Sequence, residues 1–158
     1  MPTGAGKSLC YQVPALLMSG ITIVVSPLIS LMIDQVKALN EAGVHAAYIN
    51  SALTERQITK ALELAAAGRY KMIYVAPERL LTPRFLDFAC HTELSMVTID
   101  EAHCISQWGQ DFRPSYVKIT EFIRQLPRRP VVSAFTATAT QKVREDILEV
   151  LDLESPYI

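Results

Sequence analysis

Five short apolar runs, rich in β-branched residues, alternate with longer amphipathic runs along this chain, and that alternation limits the folds it can adopt. Each short run is apolar on both faces, which is typical of parallel strands covered by helices. Strands separated by helices predict an α/β domain with a mainly parallel sheet and helices on both faces. The predicted strands are Ile21–Val25, His45–Ile49, Lys71–Val75, Ser95–Ile99 and Val131–Phe135.

The amphipathic runs predict helices, and several begin at a residue suited to capping. Thr54 with Gln57 predicts a capping box, in which each side chain binds the backbone N–H of the other residue. Thr82 and Thr140 predict two further N-caps. The predicted helices are Lys7–Met18, Ser30–Ala42, Thr54–Ala67, Arg84–Cys90, Pro114–Leu126 and Thr140–Leu151.

Size, charge and cysteine spacing exclude several classes of protein. The chain has 158 residues, which suits one domain, and its net charge of −1 gives no global basic field. Any nucleic-acid contact must therefore come from local Lys and Arg side chains. The cysteines Cys10, Cys90 and Cys104 have no paired spacing, which predicts neither a zinc site nor a disulfide framework. The most apolar stretch, Ile21–Ile33, is too short to span a bilayer, and no secretion signal is expected.

The N-terminal segment Met1–Ser8 fits a glycine-rich phosphate loop that ends in G-K-S. In such a loop the backbone N–H groups face phosphate oxygens, the lysine reaches the outer phosphates and the hydroxyl faces Mg²⁺. The strict pattern has glycine where this chain has Met1, so a chance turn is the alternative. A phosphate loop lies between a strand and a helix, and here we expect that strand to be missing. The predicted nucleotide-binding residues are Thr3, Gly4, Ala5, Gly6, Lys7 and Ser8.

Two adjacent carboxylates, Asp100 and Glu101, follow the fourth predicted strand. Catalytic acids in open α/β sheets belong at that carboxyl end. Asp100 suits an outer-sphere role at Mg²⁺, because Mg²⁺ keeps much of its water and needs few carboxylates. Glu101 is placed to orient or deprotonate an attacking water. Two acids and Lys7 are a plausible minimum for phosphoryl transfer, which depends mainly on positioning and charge stabilisation; the alternative is an ordinary solvated acidic turn.

His103 and a hydroxyl-rich stretch, residues 133–140, are further candidates for the same site. A lone histidine is more often a core or surface residue, but three residues after Asp100 it is placed to relay to the hydroxyls. The alternative for the stretch is an N-cap cluster. Ser133, Thr136 and Thr138 are the candidates for coupling.

An aromatic segment, Cys104–Pro114, contains the only tryptophan of the chain, Trp108, together with Gln107, Phe112 and Arg113. Trp108 stands beside a polar Gly-Gln-Asp sequence, which favours an exposed loop over the alternative, a core position. An aromatic side chain stacks on any base, so such a loop detects single-stranded nucleic acid without reading its sequence.

Taken in order, five segments of the chain resemble motifs I, Ia, Ib, II and III of superfamily 2 helicases, and the RecQ family in particular. The resemblance covers essentially the whole chain. It implies a three-layer RecA-like P-loop NTPase domain of an ATP-dependent DNA helicase that moves 3′ to 5′ and acts in recombination and repair. The segments are Pro2–Gln12, Ser26–Met32, Tyr74–Leu80, Asp100–Pro114 and Ser133–Thr140.

The resemblance also implies roles for individual residues. Lys7 and Ser8 would bind ATP and Mg²⁺, while Asp100 would bind the metal and Glu101 would activate water. The aromatic segment would sense single-stranded DNA. The DNA backbone would be held by Ser26, Pro27 and Leu28 and by the turn with Pro77 and Arg79, for which a surface salt bridge at Arg79 is the alternative.

By comparison with the family, residues 1–158 correspond to a first RecA-like motor domain truncated at both ends, without the second motor domain that supplies arginine fingers. Because an arginine finger is worth about 10³–10⁵ in turnover, we expect this piece alone to be inactive. Two alternatives remain at this point, a non-catalytic nucleotide-binding remnant and a DEAH-type RNA helicase domain. The expected location is the bacterial cytoplasm, or the nucleus in a eukaryote.

Overall fold

The computed structural model of the chain describes residues 6–158. The predicted phosphate-loop residues Thr3, Gly4 and Ala5 lie outside the described residues, so their assignment stays a prediction. The prediction that no strand precedes this loop also stays a prediction.

A five-stranded, all-parallel sheet forms the centre of the molecule, and every predicted strand is confirmed to within one residue at each end. The strands are β1 (Ile21–Val25), β2 (Ala46–Ile49), β3 (Met72–Val75), β4 (Leu94–Ile99) and β5 (Val131–Ala134). They lie side by side in the order β2-β3-β1-β4-β5. Strand β4 lies between β1 and β5, so the acids that follow β4 are flanked by the segments that follow those two strands.

Each predicted helix is present. The fifth begins later than predicted, because Pro114 opens a 3-10 turn, Pro114–Tyr116, and the α-helix starts only at Val117. Further 3-10 turns cover Pro77–Arg79 and Ala102–Ile105. The helices are α1 (Lys7–Leu17), α2 (Ile29–Glu41), α3 (Glu55–Ala66), α4 (Pro83–Cys90), α5 (Val117–Gln125) and α6 (Gln141–Val150).

Two of the three predicted caps form as expected. The Thr54 hydroxyl accepts from the Gln57 N–H at 3.3 Å and the Gln57 side chain accepts from the Thr54 N–H at 2.8 Å, which completes the capping box. Thr140 accepts from the N–H of Val143 at 3.3 Å. Thr82 occupies the N-cap position of α4, but its hydroxyl instead donates to the carbonyl of Arg79 at 2.7 Å. That bond ties α4 to the 3-10 turn before it.

Helices cover both faces of the sheet, as the apolar strands predicted. On one face, α1 and α2 pack against side chains such as Val24, Tyr74 and Met96. On the other, α3, α4, α5 and α6 pack against side chains such as Ile23 and Val97. This arrangement gives three layers, helix, sheet and helix. Within residues 6–158 the longest helix has 13 residues, and none is both long and apolar enough to cross a membrane.

Candidate active site

The acidic pair is fixed at the carboxyl end of β4 by backbone bonds to both neighbouring strands. The Asp100 N–H donates to the Val25 carbonyl of β1 at 2.9 Å. On the other side, the Phe135 N–H donates to the Ile99 carbonyl at 2.8 Å, and the Ala102 N–H donates to the Phe135 carbonyl at 2.9 Å. The turn that carries the acids is therefore clamped between the ends of β1 and β5.

Glu101 lies in the left-handed region of the backbone, with φ 49° and ψ 45°. Such a conformation is unfavourable for a residue with a Cβ, and it persists where surrounding contacts impose it, often at functional sites. The buried hydroxyl of Tyr116 supplies one of these contacts, because it donates to the Asp100 carbonyl at 2.8 Å.

The Glu101 carboxylate lies between two cationic or proton-carrying groups. Lys7 Nζ is 3.6 Å from Oε1, and His103 Nδ1 is 3.3 Å from Oε2. Lys7 is the first residue of α1, so the helix that follows the predicted phosphate loop brings its amine to the acids. The three side chains are only 12–25% exposed. The structure therefore places the lysine of residue 7 and the carboxylate of residue 101 at one site.

The start of α1 is suited to an anion. Gly6 precedes the helix with φ 72°, a conformation that glycine adopts without strain, and its carbonyl accepts from the Leu9 N–H at 3.0 Å. Within the described residues no side chain caps the helix and its first turn carries no acid, so N–H groups are left to a ligand or water. Together with the helix dipole and Lys7, these groups favour a bound anion such as a phosphate.

Asp100 is buried, with 8% of its surface exposed. Burial raises the pKa of its carboxyl, while the N–H of Glu101, which donates to Oδ1 at 2.9 Å, and the charge of Lys7 act in the opposite direction. A carboxylate that is costly to ionise in a dry site is one whose charge a bound cation would favour.

The residues present fit a magnesium ion held jointly by protein and phosphate. Residues 6–158 contain no group of three or more His, Cys, Asp and Glu side chains placed to hold a metal ion. Mg²⁺ does not require one, because it retains several waters and is bound through one or two carboxylates and substrate phosphates. Asp100 offers a buried carboxylate, and Ser8, half-buried in the first turn of α1, offers a hydroxyl beside Lys7.

His103 meets the hydroxyl-rich stretch that follows β5. Its Nδ1 lies 2.8 Å from the Thr136 hydroxyl, which also donates to the Thr138 carbonyl at 3.0 Å. The same nitrogen faces the Glu101 carboxylate at 3.3 Å, so the His103 ring lies between Glu101 and the hydroxyl-rich stretch. Ser133 lies elsewhere: its hydroxyl pairs at 2.8 Å with that of Thr98, across β4 and β5.

The aromatic segment projects from the same end of the sheet. Trp108 is 74% exposed, as the exposed-loop interpretation predicted, and Gln107 is also exposed, while Phe112 is half-buried. The chain must turn tightly at Gly109, because a Cβ there would lie 2.4 Å from the carbonyl oxygen of His103. The segment is thus folded directly onto the turn that carries the catalytic candidates.

Arg113 links the aromatic segment to the turn after β1. Its guanidinium donates to Asp111 Oδ2 at 3.0 and 2.9 Å and to the Pro27 carbonyl at 3.4 Å. In that turn Leu28 is 44% exposed, whereas Ser26 is buried, and its hydroxyl has no hydrogen-bond partner in the described part of the chain. The Leu28 side chain, and not the Ser26 hydroxyl, therefore faces outward here.

The 3-10 turn after β3 lies at the same end of the sheet, further from the acids. Pro77 is buried, and Arg79 Nη1 lies 3.3 Å from Glu55 Oε1 of α3. The salt bridge that the sequence offered as an alternative is therefore present. Arg84 of α4 shares the same carboxylate at 3.8 Å.

The whole arrangement follows a known domain pattern. The DEAD/DEAH box helicase family model matches residues 1–147. The chain belongs to the DEAD/DEAH box helicase family.

Curated relatives of this helicase domain are considerably longer than the chain. The chain is 53% identical over 154 residues to "ATP-dependent DNA helicase RecQ" of Bacillus subtilis, and this match covers 98% of the chain and 26% of that protein. It is 46% identical over 162 residues to "ATP-dependent DNA helicase Q5" of Mus musculus, covering 99% of the chain and 16% of that protein. The chain therefore spans about a quarter or less of the length of these relatives.

Solved helicase structures share the fold at low sequence identity. The Pyrococcus furiosus Hef helicase domain matches with a TM-score of 0.69 and 20% identity over 97% of this chain and 33% of that one. A hypothetical ATP-dependent RNA helicase from Sulfolobus tokodaii matches with a TM-score of 0.73 and 20% identity, and the match covers 100% of this chain and 45% of that one. The expected RecA-like helicase fold is thereby confirmed.

Sequence reasoning missed three residues of this helicase domain that support the site. Tyr116 holds the backbone at the acids, and Ser106 contacts Asp146, forty residues further along the chain. The sequence did carry one signal for Tyr116, since a tyrosine on the buried face of a helix needs a partner for its hydroxyl. Nothing in the local pattern pointed to Asp146.

Proposed function

We propose that the chain is the nucleotide-binding and DNA-sensing motor domain of an ATP-dependent 3′ to 5′ DNA helicase that unwinds duplex DNA in recombination and repair. The observation that carries the proposal is the 3.6 Å separation between Lys7 and Glu101 at the carboxyl end of β4. The proposal is further supported by the relatives, several of which are named ATP-dependent DNA helicases. A DNA partner would place the protein in a bacterial cytoplasm or a eukaryotic nucleus.

The nucleotide side of the proposal assigns ATP to the start of α1. The loop residues Thr3 to Gly6 and the first N–H groups of α1 bind phosphate oxygens, and Lys7 binds the outer phosphates. Asp100 and Ser8 hold Mg²⁺, which when bound neutralises charge on the phosphates. Glu101 orients or deprotonates the attacking water, and His103 holds the Glu101 carboxylate in place from its other side.

The DNA side of the proposal assigns the strand to the surface formed by the aromatic segment and the neighbouring turns. Exposed Trp108 stacks on a base, while Gln107, Phe112 and Arg113 contact the strand around it. The turns at Ser26–Leu28 and Pro77–Arg79 contact the DNA backbone, chiefly through main-chain groups and without need of net positive charge. Coupling to the nucleotide passes through His103 to Thr136 and Thr138, with Ser133 supporting the end of β5.

The domain assignment completes the proposal. Residues 1–158 act as the first motor domain, and a second motor domain in the same longer protein supplies an arginine finger. An arginine finger raises turnover by about 10³- to 10⁵-fold. Without it, residues 1–158 bind nucleotide but hydrolyse it very slowly.

Nucleotide binding is tested by calorimetric titration of Mg·ATP into the 158-residue chain. Lys7→Ala is expected to weaken binding by about 10- to 100-fold, because it removes a charge-assisted hydrogen bond worth about 1.5–3 kcal/mol. Lys37→Ala is the matched control, since Lys37 is an exposed lysine on α2 that pairs with Glu41 at 4.0 Å. Absence of binding by the unmodified chain would overturn the nucleotide side of the proposal.

The catalytic role of Glu101 is tested in a chain that also carries the second motor domain. Glu101→Gln keeps the side-chain volume and removes the base, so Mg·ATP binding is retained while single-turnover hydrolysis falls by about 10²- to 10⁴-fold. Hydrolysis at the unmodified rate would reject the assignment. Stimulation by single-stranded RNA above that by DNA would identify an RNA helicase instead.

A further inference from the structure

A buried serine connects the aromatic segment to the last helix. Ser106 is 1% exposed, and its hydroxyl donates to Asp146 Oδ2 of α6 at 2.5 Å. The Ser106 hydroxyl oxygen in turn accepts from the backbone N–H of Trp108 at 3.1 Å. On its other oxygen, Asp146 pairs with Lys142 at 3.0 Å. A chain of contacts thus runs from α6 through one hydroxyl to the backbone of the only tryptophan.

The direction of each bond in this chain is fixed by the chemistry of the groups. A serine hydroxyl has one proton, and an ionised carboxylate only accepts, so the proton of Ser106 points at Asp146. The remaining lone pairs of the hydroxyl then face the Trp108 N–H. Hydrogen bonds to an ionised acceptor are short and stronger than neutral ones. Removing Asp146 therefore frees Ser106 to rotate and weakens the hold on Trp108.

The position of α6 gives this contact a further meaning. Helix α6 begins directly after the hydroxyl-rich stretch, where Thr140 caps it. That stretch contacts His103 through Thr136, and His103 contacts Glu101. The other bonds of the aromatic segment shown above run within it, to the turn beside it or to Pro27, whereas the Asp146 contact reaches the helix that follows the nucleotide site. A displacement of α6 would therefore reach the backbone of Trp108.

We propose that Asp146 is a positioning residue that holds Trp108 ready to bind single-stranded DNA by fixing the hydroxyl of Ser106. This inference rests on the proposed function of the aromatic segment and adds a residue from α6 to it. Asp146 does not touch the DNA or the nucleotide, and it acts only through Ser106.

The order of the segment can be measured directly, because the chain contains one tryptophan. Fluorescence anisotropy and acrylamide quenching of the folded 158-residue chain report on Trp108 alone. Asp146→Ala and Ser106→Ala are each expected to lower the anisotropy and increase quenching, and the double variant is expected to change them no further. Ser106→Thr keeps the hydroxyl and is expected to restore the unmodified values. Asp146→Asn, which keeps the size of the side chain, is expected to give a smaller change in the same direction.

The control is Glu145→Ala, which removes an exposed acid from the same helix. Among the contacts described, the Glu145 carboxylate accepts only from the Gln141 side chain, at 3.0 Å. A purely structural role for Asp146 would lower the urea midpoint of unfolding and leave the anisotropy of the folded chain unchanged. That result, additive effects of the two alanine variants, or an equal change in Glu145→Ala would overturn the inference.

A titration with oligothymidylate separates this inference from the proposed function. The unmodified chain is expected to show a change in Trp108 fluorescence on binding, and Asp146→Ala is expected to weaken that binding by up to about tenfold, the loss of roughly one hydrogen bond. Equal binding by the variant and the unmodified chain would overturn the inference. No response from the unmodified chain would instead overturn the proposed DNA contact, and the anisotropy comparison would still decide whether Asp146 orders the segment.

Discussion

At the scale of single residues, Glu101 combines an unfavourable backbone conformation with a carboxylate that is contacted from two sides. Its left-handed conformation costs of order 1–3 kcal/mol and persists only because neighbouring contacts impose it. In return, its carboxylate lies within 3.6 Å of both Lys7 and His103. Under the proposed function, this geometry holds the acid in position for phosphoryl transfer, which depends mainly on positioning and charge stabilisation.

The contact from Tyr116 to the Asp100 carbonyl is the part of this arrangement easiest to test. Tyr116→Phe removes only the hydroxyl that donates at 2.8 Å, and it leaves a buried carbonyl without that donor. We expect the free energy of unfolding to fall by about 1–3 kcal/mol, measured by urea denaturation. Tyr157→Phe is the matched control, because Tyr157 is fully exposed. Equal stability of the two variants would show that the hydroxyl does not support the turn.

At the scale of elements, the aromatic segment presents one largely exposed ring, that of Trp108. Trp108→Ala is expected to weaken binding of single-stranded oligonucleotides by about 1–3 kcal/mol, the value of stacking one base on an aromatic side chain. The measurement is fluorescence anisotropy of a dye-labelled oligothymidylate titrated with the chain. Gln110→Ala removes an exposed polar side chain from the same segment and is expected to bind as the unmodified chain does. A loss of equal size in both variants would mean that the segment, and not the ring, sets the affinity.

The elements themselves could be predicted from the sequence because their signals are local. Strand β1 was predicted at its observed bounds, because its five residues form one run of β-branched side chains with a different sequence pattern on each side. All five are buried in the structure. The start of α5 was predicted too early, because Pro114 suits the first residue of a 3-10 turn as well as that of an α-helix. The cap at Thr82 differs because its hydroxyl found a carbonyl of the preceding turn.

The candidate site was predictable only in part, for a related reason. The phosphate-loop motif and the acidic pair can be recognised from their residue types alone. Parallel strands then bring such residues to one edge of the sheet. The contacts that hold them are between distant residues, such as Ser106 with Asp146, and depend on how helices pack. Periodicity says which face of a helix is buried and not which side chain on another element it will meet.

At the scale of the whole molecule, several buried groups hold their protons more firmly in the folded chain than in the unfolded one. Burial raises the pKa of the Cys104 thiol from 9.0 to about 11. Burial also raises the pKa of the Tyr11, Tyr74 and Tyr116 phenols above their usual 10.0. All four side chains lie in or beside the sheet, where an ionised group would be poorly solvated.

These shifts predict that the chain loses stability in alkali before its buried groups ionise. Above pH 9.0 the unfolded chain releases the Cys104 proton while the folded chain keeps it until about pH 11, so the free energy of unfolding falls as the pH rises across that window. The tyrosines extend the fall in the same direction above pH 10.0. Each group contributes up to about 1.4 kcal/mol per pH unit, which urea denaturation at a series of pH values can measure. Cys104→Ala is expected to be less stable throughout, because it leaves a cavity, but its stability should fall less steeply between pH 9.0 and 10.0. An equal slope in the two chains would show that the thiol ionises as readily in the folded protein as in the unfolded one.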